Sequence, residues 1–218
     1  LFGAGFALLE RRTGVSFLAV HYRRTIALGV IGALHSIFIW AGDILLTYAL
    51  VALVLPAFRH TPAPQLLRWC TVLFGVPVLV MLLGSLAAFE DGVLVSKGAI
   101  VYAPATPNSY TEATALRFTD TIATLQSLPV FGVMVLGAFL AGAWFIRSSV
   151  LVNHREHARL WRALLWLLPI GVLLAAVSMS ISLQFGDTPK GMLAASVMLA
   201  ASPCLALGYL ACIVVILQ

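Results

Sequence analysis

Charged residues are scarce in this chain, and their scarcity excludes most classes of soluble protein. In 218 residues, Asp, Glu, Lys and Arg together make up 10% and hydrophobic residues make up 61%. The mean hydropathy is +1.04. Soluble domains usually carry about 25% charged residues. We therefore expect an all-α fold, a polytopic bundle of transmembrane helices whose outer surface contacts the lipid bilayer.

Several chemical signatures are also missing. Cys70, Cys204 and Cys212 lie in apolar segments without a Cys-x-x-Cys pair, so we expect buried thiols and no disulfide framework. The sequence has no Gly-rich phosphate loop, no Gly-x-Ser-x-Gly and no His-Glu-x-x-His. His154 and His157 are three residues apart but stand among arginines, so no metal site is predicted. No basic tract alternates with stacking aromatics, which makes nucleic acid an unexpected partner.

Apolar segments recur along the chain at lengths suited to crossing a bilayer, for which about 17 residues is the lower limit. We expect about six complete spans after a partial N-terminal one, in a single transmembrane domain over residues 1–218. The predicted spans are 25–41, 44–58, 69–89, 128–146, 163–183 and 191–217. Both ends of the chain resemble pieces of helices, so we expect it to be part of a longer protein.

Lys and Arg gather in three of the connections, which predicts the orientation of the spans. The connections that we expect to face the cytoplasm are 10–24, 59–68 and 147–162. The connections that we expect on the other side are the Gly42-Asp43 turn, the 90–127 segment and the 184–190 turn. Within 90–127, the stretch SYTEATALRFTDTIATL predicts a helix that lies along the membrane surface.

The stretch HSIFIWAGDILLTY, from His35 to Tyr48, departs from the pattern of a lipid-buried sequence. His35 should lie roughly 10 Å below the non-cytoplasmic surface, where an ionisable side chain indicates a functional site and imidazole suits proton transfer. A neutral histidine bonded to a neighbouring helix is the alternative. Eight helical residues would separate His35 from Asp43 by about 12 Å, so we expect no direct contact and place Tyr48 nearer to His35. Gly-Asp before an apolar run is typical of a helix N-cap, a role in which Asp43 could also line a site.

Two groups of arginines are further candidates. Arg117 follows Glu112 by five residues, a spacing unsuited to an internal ion pair. A solvated face explains it most simply, and binding of a carboxylate or phosphate is the functional alternative. The cytoplasmic group consists of Arg11, Arg12, Arg23 and Arg24. Contact with anionic lipid explains this group sufficiently, whereas the functional alternative is a cradle for a phosphorylated donor such as acyl-CoA.

Four segments carry a family resemblance: LFGAGFALLERR, HYRRTIALGVIGALHSIFIWAGDILLTYALVALVL, SYTEATALRF and FGVMVLGAFLAGAWFIR. They resemble the YeiB family, multi-pass proteins of the bacterial inner (plasma) membrane whose shared domain has no assigned function. The resemblance maps His35, Gly42, Asp43, Tyr48 and Arg117 onto the family pattern. Two parts of that pattern, an Asp-x-x-Arg-Gly-like start and a Gly-Arg-Met-Ala-Leu-Thr-Asn-Tyr-like end, are missing here. The family is similar in architecture to integral-membrane acyltransferases, an analogy that does not by itself define function.

The first hypothesis is an acyltransferase-like enzyme with acyl-CoA as donor. His35 would act as general base on an acceptor hydroxyl or amine, with Tyr48 orienting it. Either Asp43 or Arg117 would hold the acceptor, and Trp40 would contribute to its binding. The second hypothesis is a proton-coupled small-molecule transporter in which His35 relays protons, although no internal repeat is evident. The third is a structural or lipid-binding subunit, in a homo-oligomer or a larger membrane assembly.

Overall fold

The computed structural model describes residues 2–13, 16–90, 107, 109–186 and 188–217. Every regular element in this part of the chain is helical, which confirms the predicted all-α fold. The α-helices are α1 (Phe2–Thr13), α2 (Phe17–Phe38), α3 (Leu45–Val54), α4 (Ala63–Glu90), α5 (Tyr110–Gln126), α6 (Leu128–Arg147), α7 (Ala158–Leu164), α8 (Leu167–Phe185) and α9 (Pro189–Ile216). A 3-10 turn over Leu55–Phe58 extends α3.

Five of the described helical segments are long and apolar enough to cross a membrane. They are Phe17–Phe38, Ala63–Ala88, Leu128–Arg147, Ala158–Phe185 and Pro189–Ile216. The span predicted at 44–58 is present as a shorter apolar segment, Leu45–Phe58, whose last four residues form the 3-10 turn that contains Pro56. The long segments make this a multi-pass helical membrane protein.

The predicted connection at 10–24 is wrong from Phe17 onward, because α2 already begins there. Its first two turns contain His21, Arg23 and Arg24, whose polarity conceals the helix in a hydropathy pattern. Neither proline nor glycine interrupts residues 17–24. Phe17 and His21 are buried on one face, so packing compensates for the polar residues on the other.

The described residues divide into two compact units. The described residues of the first unit lie within 1–75 and 104–148, and those of the second lie within 76–103 and 149–218. The single domain expected over 1–218 stays a prediction. Of the predicted 90–127 segment, the surface helix corresponds to α5, and residues 91–106 and 108 lie outside the described part.

Small residues allow the helices of the first unit to approach closely. Helices α2 and α3 form an antiparallel hairpin in which a Cβ on Gly32 would overlap the backbone of Leu46. Helices α1 and α6 meet in the same way, since a Cβ on Gly3 would overlap the carbonyl of Phe139. Such contacts are the usual packing of helices in lipid, where van der Waals contact takes over from hydrophobic burial.

The second unit is built on an antiparallel pair, α8 and α9. A Cβ on Gly171 would lie 2.9 Å from Leu205 Cγ, and one on Gly208 would lie 2.6 Å from the backbone nitrogen of Leu168. Gly186 ends α8 with a φ of +45°, a backbone conformation that favours glycine. The chain can therefore turn within a few residues between the two helices.

Candidate functional site

The candidate site lies where α2 ends and α3 begins. His35 stands in the last turn of α2, and its Nδ1 lies 3.0 Å from Oδ1 of Asp43. The other carboxylate oxygen of Asp43, Oδ2, accepts a hydrogen bond of 3.1 Å from the backbone N–H of Leu46. One carboxylate therefore caps the start of α3 and contacts the imidazole of the preceding helix.

The expectation that His35 and Asp43 stay apart is wrong, because α2 does not continue to the turn. It ends at Phe38, and the N–H groups of Ile39 and Trp40 both bond to the carbonyl of His35 at 2.9 Å. Residues 39–44 then fold back, so the rise of a straight helix no longer measures the separation. Asp43 accepts a hydrogen bond from the N–H of Leu46, as expected of a capping side chain, while Ile44 is the residue at the N-cap position itself.

Burial differs between the two partners. The side chain of Asp43 is 3% exposed and that of His35 is 32% exposed. The 3.0 Å approach lacks the alignment of a linear hydrogen bond, so it is a close electrostatic contact of a buried Nδ1. A carboxylate beside Nδ1 favours the tautomer that is protonated there. Nε2 is then left with the lone pair that a proton acceptor needs.

Helix α5 covers the C-terminal end of α2. The Tyr110 hydroxyl donates to the carbonyl of Phe38 at 2.9 Å, and Nη1 of Arg117 donates to the same carbonyl at 3.4 Å. The Arg117 guanidinium also lies over the Tyr110 ring, 5.5 Å from its centroid. A cation is favourable at the negative end of a helix dipole. The structure thus brings Arg117 to the helix end that carries His35.

Trp40 and Tyr48 take different places around this turn. Trp40 is 63% exposed, and its indole lies so close to Gly42 that a Cβ there would come within 2.7 Å of Cζ2. The Tyr48 ring packs edge-on against Phe139, with centroids 5.2 Å apart. Between the described residues no hydrogen bond joins Tyr48 to His35, and it is Asp43 that the structure brings to the imidazole.

The four arginines predicted to bind a donor do not share one role. Nη2 of Arg11 donates to the carbonyl of Ile146 at 3.1 Å and so caps the end of α6. Arg12, Arg23 and Arg24 are exposed, and Arg24 also lines a cavity between α1 and α2. Arg11 is therefore already engaged within the fold.

Sequence reasoning missed a cluster centred on Glu10. Its carboxylate accepts from Nε of Arg59 at 3.0 Å and from Nη2 of Arg147 at 2.9 Å. Arg147 also donates to three backbone carbonyls, those of Phe58, Arg59 and Thr61. The available signal was that Glu10 is the one acidic residue among the first forty. The cluster joins α1, α6 and the turn that follows α3.

Sequence reasoning also gave no role to His21, which is buried. Its Nε2 lies 2.9 Å from the carbonyl oxygen of Ala52, and its ring stacks on Phe17 with centroids 5.7 Å apart. His21 thereby links α2 to α3. Across the described ranges, no group of three His, Cys, Asp or Glu side chains could hold a metal ion.

Fold and site together define a multi-pass helical membrane protein with a histidine–aspartate pair at the end of one apolar helix. Residues 145–218 of the chain match a family described as protein of unknown function (DUF418). The uncharacterized protein YxaH of Bacillus subtilis (strain 168) is 37% identical over 86 residues, which cover 37% of this chain and 21% of that protein. The chain thus spans about a fifth of the length of this curated relative. No solved structure matches.

The family match covers the end of α6 and all of α7, α8 and α9. His35, Asp43 and Arg117 precede residue 145, so the candidate site lies outside the matched range. Neither the family description nor the relative's name assigns an activity. The function must therefore be argued from the geometry of the site itself.

Proposed function

We propose that this protein is an acyltransferase-like enzyme of the bacterial inner membrane. It would move an acyl group from a cytoplasmic thioester donor, such as acyl-CoA, to a hydroxyl or amine acceptor at the membrane. The observation that carries the proposal is the 3.0 Å contact between Nδ1 of His35 and the carboxylate of Asp43. Histidine is the side chain that general-base catalysis uses most often, and a carboxylate beside its other ring nitrogen is a recurrent companion.

In the proposed reaction, Nε2 of His35 removes the proton from the acceptor as its oxygen or nitrogen attacks the thioester carbonyl. The carbon–sulfur bond then breaks, and the departing thiolate takes the proton back from the imidazolium. Asp43 stabilises the positive charge that His35 carries between these two steps. Because its side chain is 3% exposed, water screens that interaction only weakly.

The surroundings of His35 suit an acceptor that approaches from the α5 side. The exposed indole of Trp40 offers an apolar face beside the turn. Arg117 holds the Phe38 carbonyl at 3.4 Å, the long end of a hydrogen bond, so its remaining N–H groups are available to an anionic or polar acceptor. Arg12 and Arg23 are exposed cations suited to the phosphates of the donor.

A proton-coupled transporter is the second candidate, because an ionisable pair on a membrane helix is also the usual component of a proton relay. In that case, proton uptake by liposomes containing the protein would depend on His35 while no thioester would be consumed. Turnover and proton flux therefore separate the two functions.

The test is thioester consumption by the purified full-length protein in nanodiscs, followed by mass spectrometry with acetyl-CoA and longer acyl-CoAs. We expect His35→Gln to lower turnover by about 10²–10⁴-fold, the usual contribution of a general base. Asp43→Asn should also lower it strongly, because asparagine keeps the cap but loses the charge. His60→Gln is the matched control, since His60 is an exposed histidine of the same unit.

Full turnover in the His35→Gln variant would refute His35 as the base. A folded protein that neither binds nor consumes any acyl-CoA would refute the enzyme proposal as a whole. A loss of turnover in the His60→Gln control would show that the assay reports general destabilisation instead of chemistry.

A further inference from the structure

The geometry points to a lipid-binding groove between α1 and α2, separate from the histidine–aspartate pair. We infer that it holds a membrane lipid with an anionic phosphate headgroup, the phosphate at Arg24 and one acyl chain along the groove. The cavity has a volume of about 310 Å³, at the lower end of the range for ligand pockets. This inference does not depend on acyl transfer.

The lining of the groove is apolar except for His21, Arg24 and Thr25, which all belong to α2. Phe2, Phe6 and Leu9 of α1 and Leu28 of α2 supply its apolar walls. Arg24 stands nearer the beginning of α2, at the membrane boundary that its arginines predict. An exposed cation beside apolar walls suits a lipid, whose charged headgroup is joined to an apolar chain.

The other polar residues of the lining are already paired within the fold. Nε2 of His21 lies 2.9 Å from the carbonyl oxygen of Ala52 and 3.5 Å from Oγ1 of Thr25. Arg24 has no acidic partner among the described residues. The guanidinium of Arg24 is therefore the group of this lining that remains for an anionic ligand.

The nearest acidic residue on α1 does not neutralise this cation. Glu10 is bound by Arg59 at 3.0 Å and by Arg147 at 2.9 Å, so both of its oxygens are occupied. Arg11, Arg12 and Arg23 add positive charge to the same two helices. Charge complementarity thus favours an anionic headgroup over a zwitterionic one.

The surroundings of Gly5 leave room for an acyl chain. It lines the groove, and a Cβ built on it would meet no atom within 4 Å. Gly3, on the same helix, has no such room, because a Cβ there would overlap the backbone of Phe139. The space over Gly5 is therefore not required for helix packing, and a larger side chain at this position would fill the groove.

The experiment is native mass spectrometry of the full-length protein in detergent, titrated with phosphatidylglycerol and, separately, with phosphatidylcholine. Arg24→Gln removes the proposed phosphate ligand, and Arg23→Gln is its matched control on the same helix, outside the lining. We expect Arg24→Gln to bind phosphatidylglycerol about tenfold more weakly, as for loss of one charge-assisted hydrogen bond. Arg23→Gln should weaken binding by at most about twofold, because Arg23 lies outside the lining and adds only to the surrounding positive charge. Gly5→Leu should also weaken binding, by filling the groove.

Three results would overturn the inference. Equal weakening by Arg23→Gln and Arg24→Gln would mean diffuse attraction to a basic surface. Equal binding of phosphatidylcholine, in which choline balances the phosphate, would mean that the net negative charge of the headgroup is not recognised. Displacement of phosphatidylglycerol by inorganic phosphate at the same concentration would mean that the acyl chain of the lipid contributes nothing to its affinity. Because Arg24 is exposed, its substitution leaves a folded protein in which to read these results, even if Gly5→Leu does not fold.

Discussion

Replacing Arg147 should destabilise the first unit more than replacing any exposed arginine. Its guanidinium makes four hydrogen bonds, to Oε2 of Glu10 at 2.9 Å and to the carbonyls of Phe58, Arg59 and Thr61 at 3.1, 2.7 and 2.8 Å. The Arg147 side chain is 15% exposed and that of Glu10 is 21% exposed. Breaking a mostly buried pair costs about 3–5 kcal/mol, so we expect Arg147→Met to lose about that much stability.

The assay is thermal unfolding of the purified protein in one detergent, in which such a loss lowers the Tm by roughly 10 °C. The Tm of Arg147→Lys should lie between those of the unchanged protein and Arg147→Met, because an ammonium keeps the charge but cannot reproduce the planar fork of the guanidinium. Arg159→Met, at an exposed position of α7, is the control. A double-mutant cycle with Glu10→Gln should give a coupling energy of about 1–3 kcal/mol. A Tm for Arg147→Met within 2 °C of the Arg159→Met value would refute the reasoning.

The remaining predictions concern helix packing and caps. Gly32→Ala should separate α2 from α3 and lower the Tm by several degrees, whereas Gly5→Ala should leave it unchanged or raise it slightly, because a Cβ on Gly5 meets nothing; equal effects would contradict the close approach. Asp43→Ser should keep the cap of α3 and the Tm but lose turnover, while Asp43→Ala should lower both, the stability by about 1 kcal/mol. Tyr110→Phe should speed hydrogen exchange at the end of α2, since it removes the hydroxyl that bonds to Phe38; unchanged exchange would show that Arg117 alone suffices.

The long apolar segments could be predicted from the sequence because their signal is local. The spans predicted at 128–146 and 191–217 correspond closely to α6 (Leu128–Arg147) and α9 (Pro189–Ile216). A continuous apolar run needs no knowledge of its neighbours, since every backbone group of a helix pairs within the run. The start of α2 was missed for the opposite reason. Its polar first turns are stabilised by contacts of Phe17 and His21 that come from other helices.

The contact between His35 and Asp43 could not be predicted from spacing. Helical rise gives the separation of two residues only if the helix continues between them, and α2 ends three residues after His35. The identities of the site residues were nevertheless evident, because an ionisable side chain in an apolar run is costly wherever it lies. The sequence therefore identifies the candidate residues, while the turn at 39–44 determines which of them meet.

The few polar contacts of the first unit are concentrated at helix ends, and this distribution separates structural from functional residues. The last carbonyls of a helix have no partner within it. Arg11 bonds to such a carbonyl at the end of α6, Tyr110 and Arg117 bond to one at the end of α2, and Arg147 bonds to those of the turn after α3. Asp43 does the same for an N–H of α3. Capping does not account for the contact between Oδ1 of Asp43 and Nδ1 of His35. It also does not account for the exposed guanidinium of Arg24 beside an apolar groove. These two features are therefore where chemistry and ligand binding should be sought.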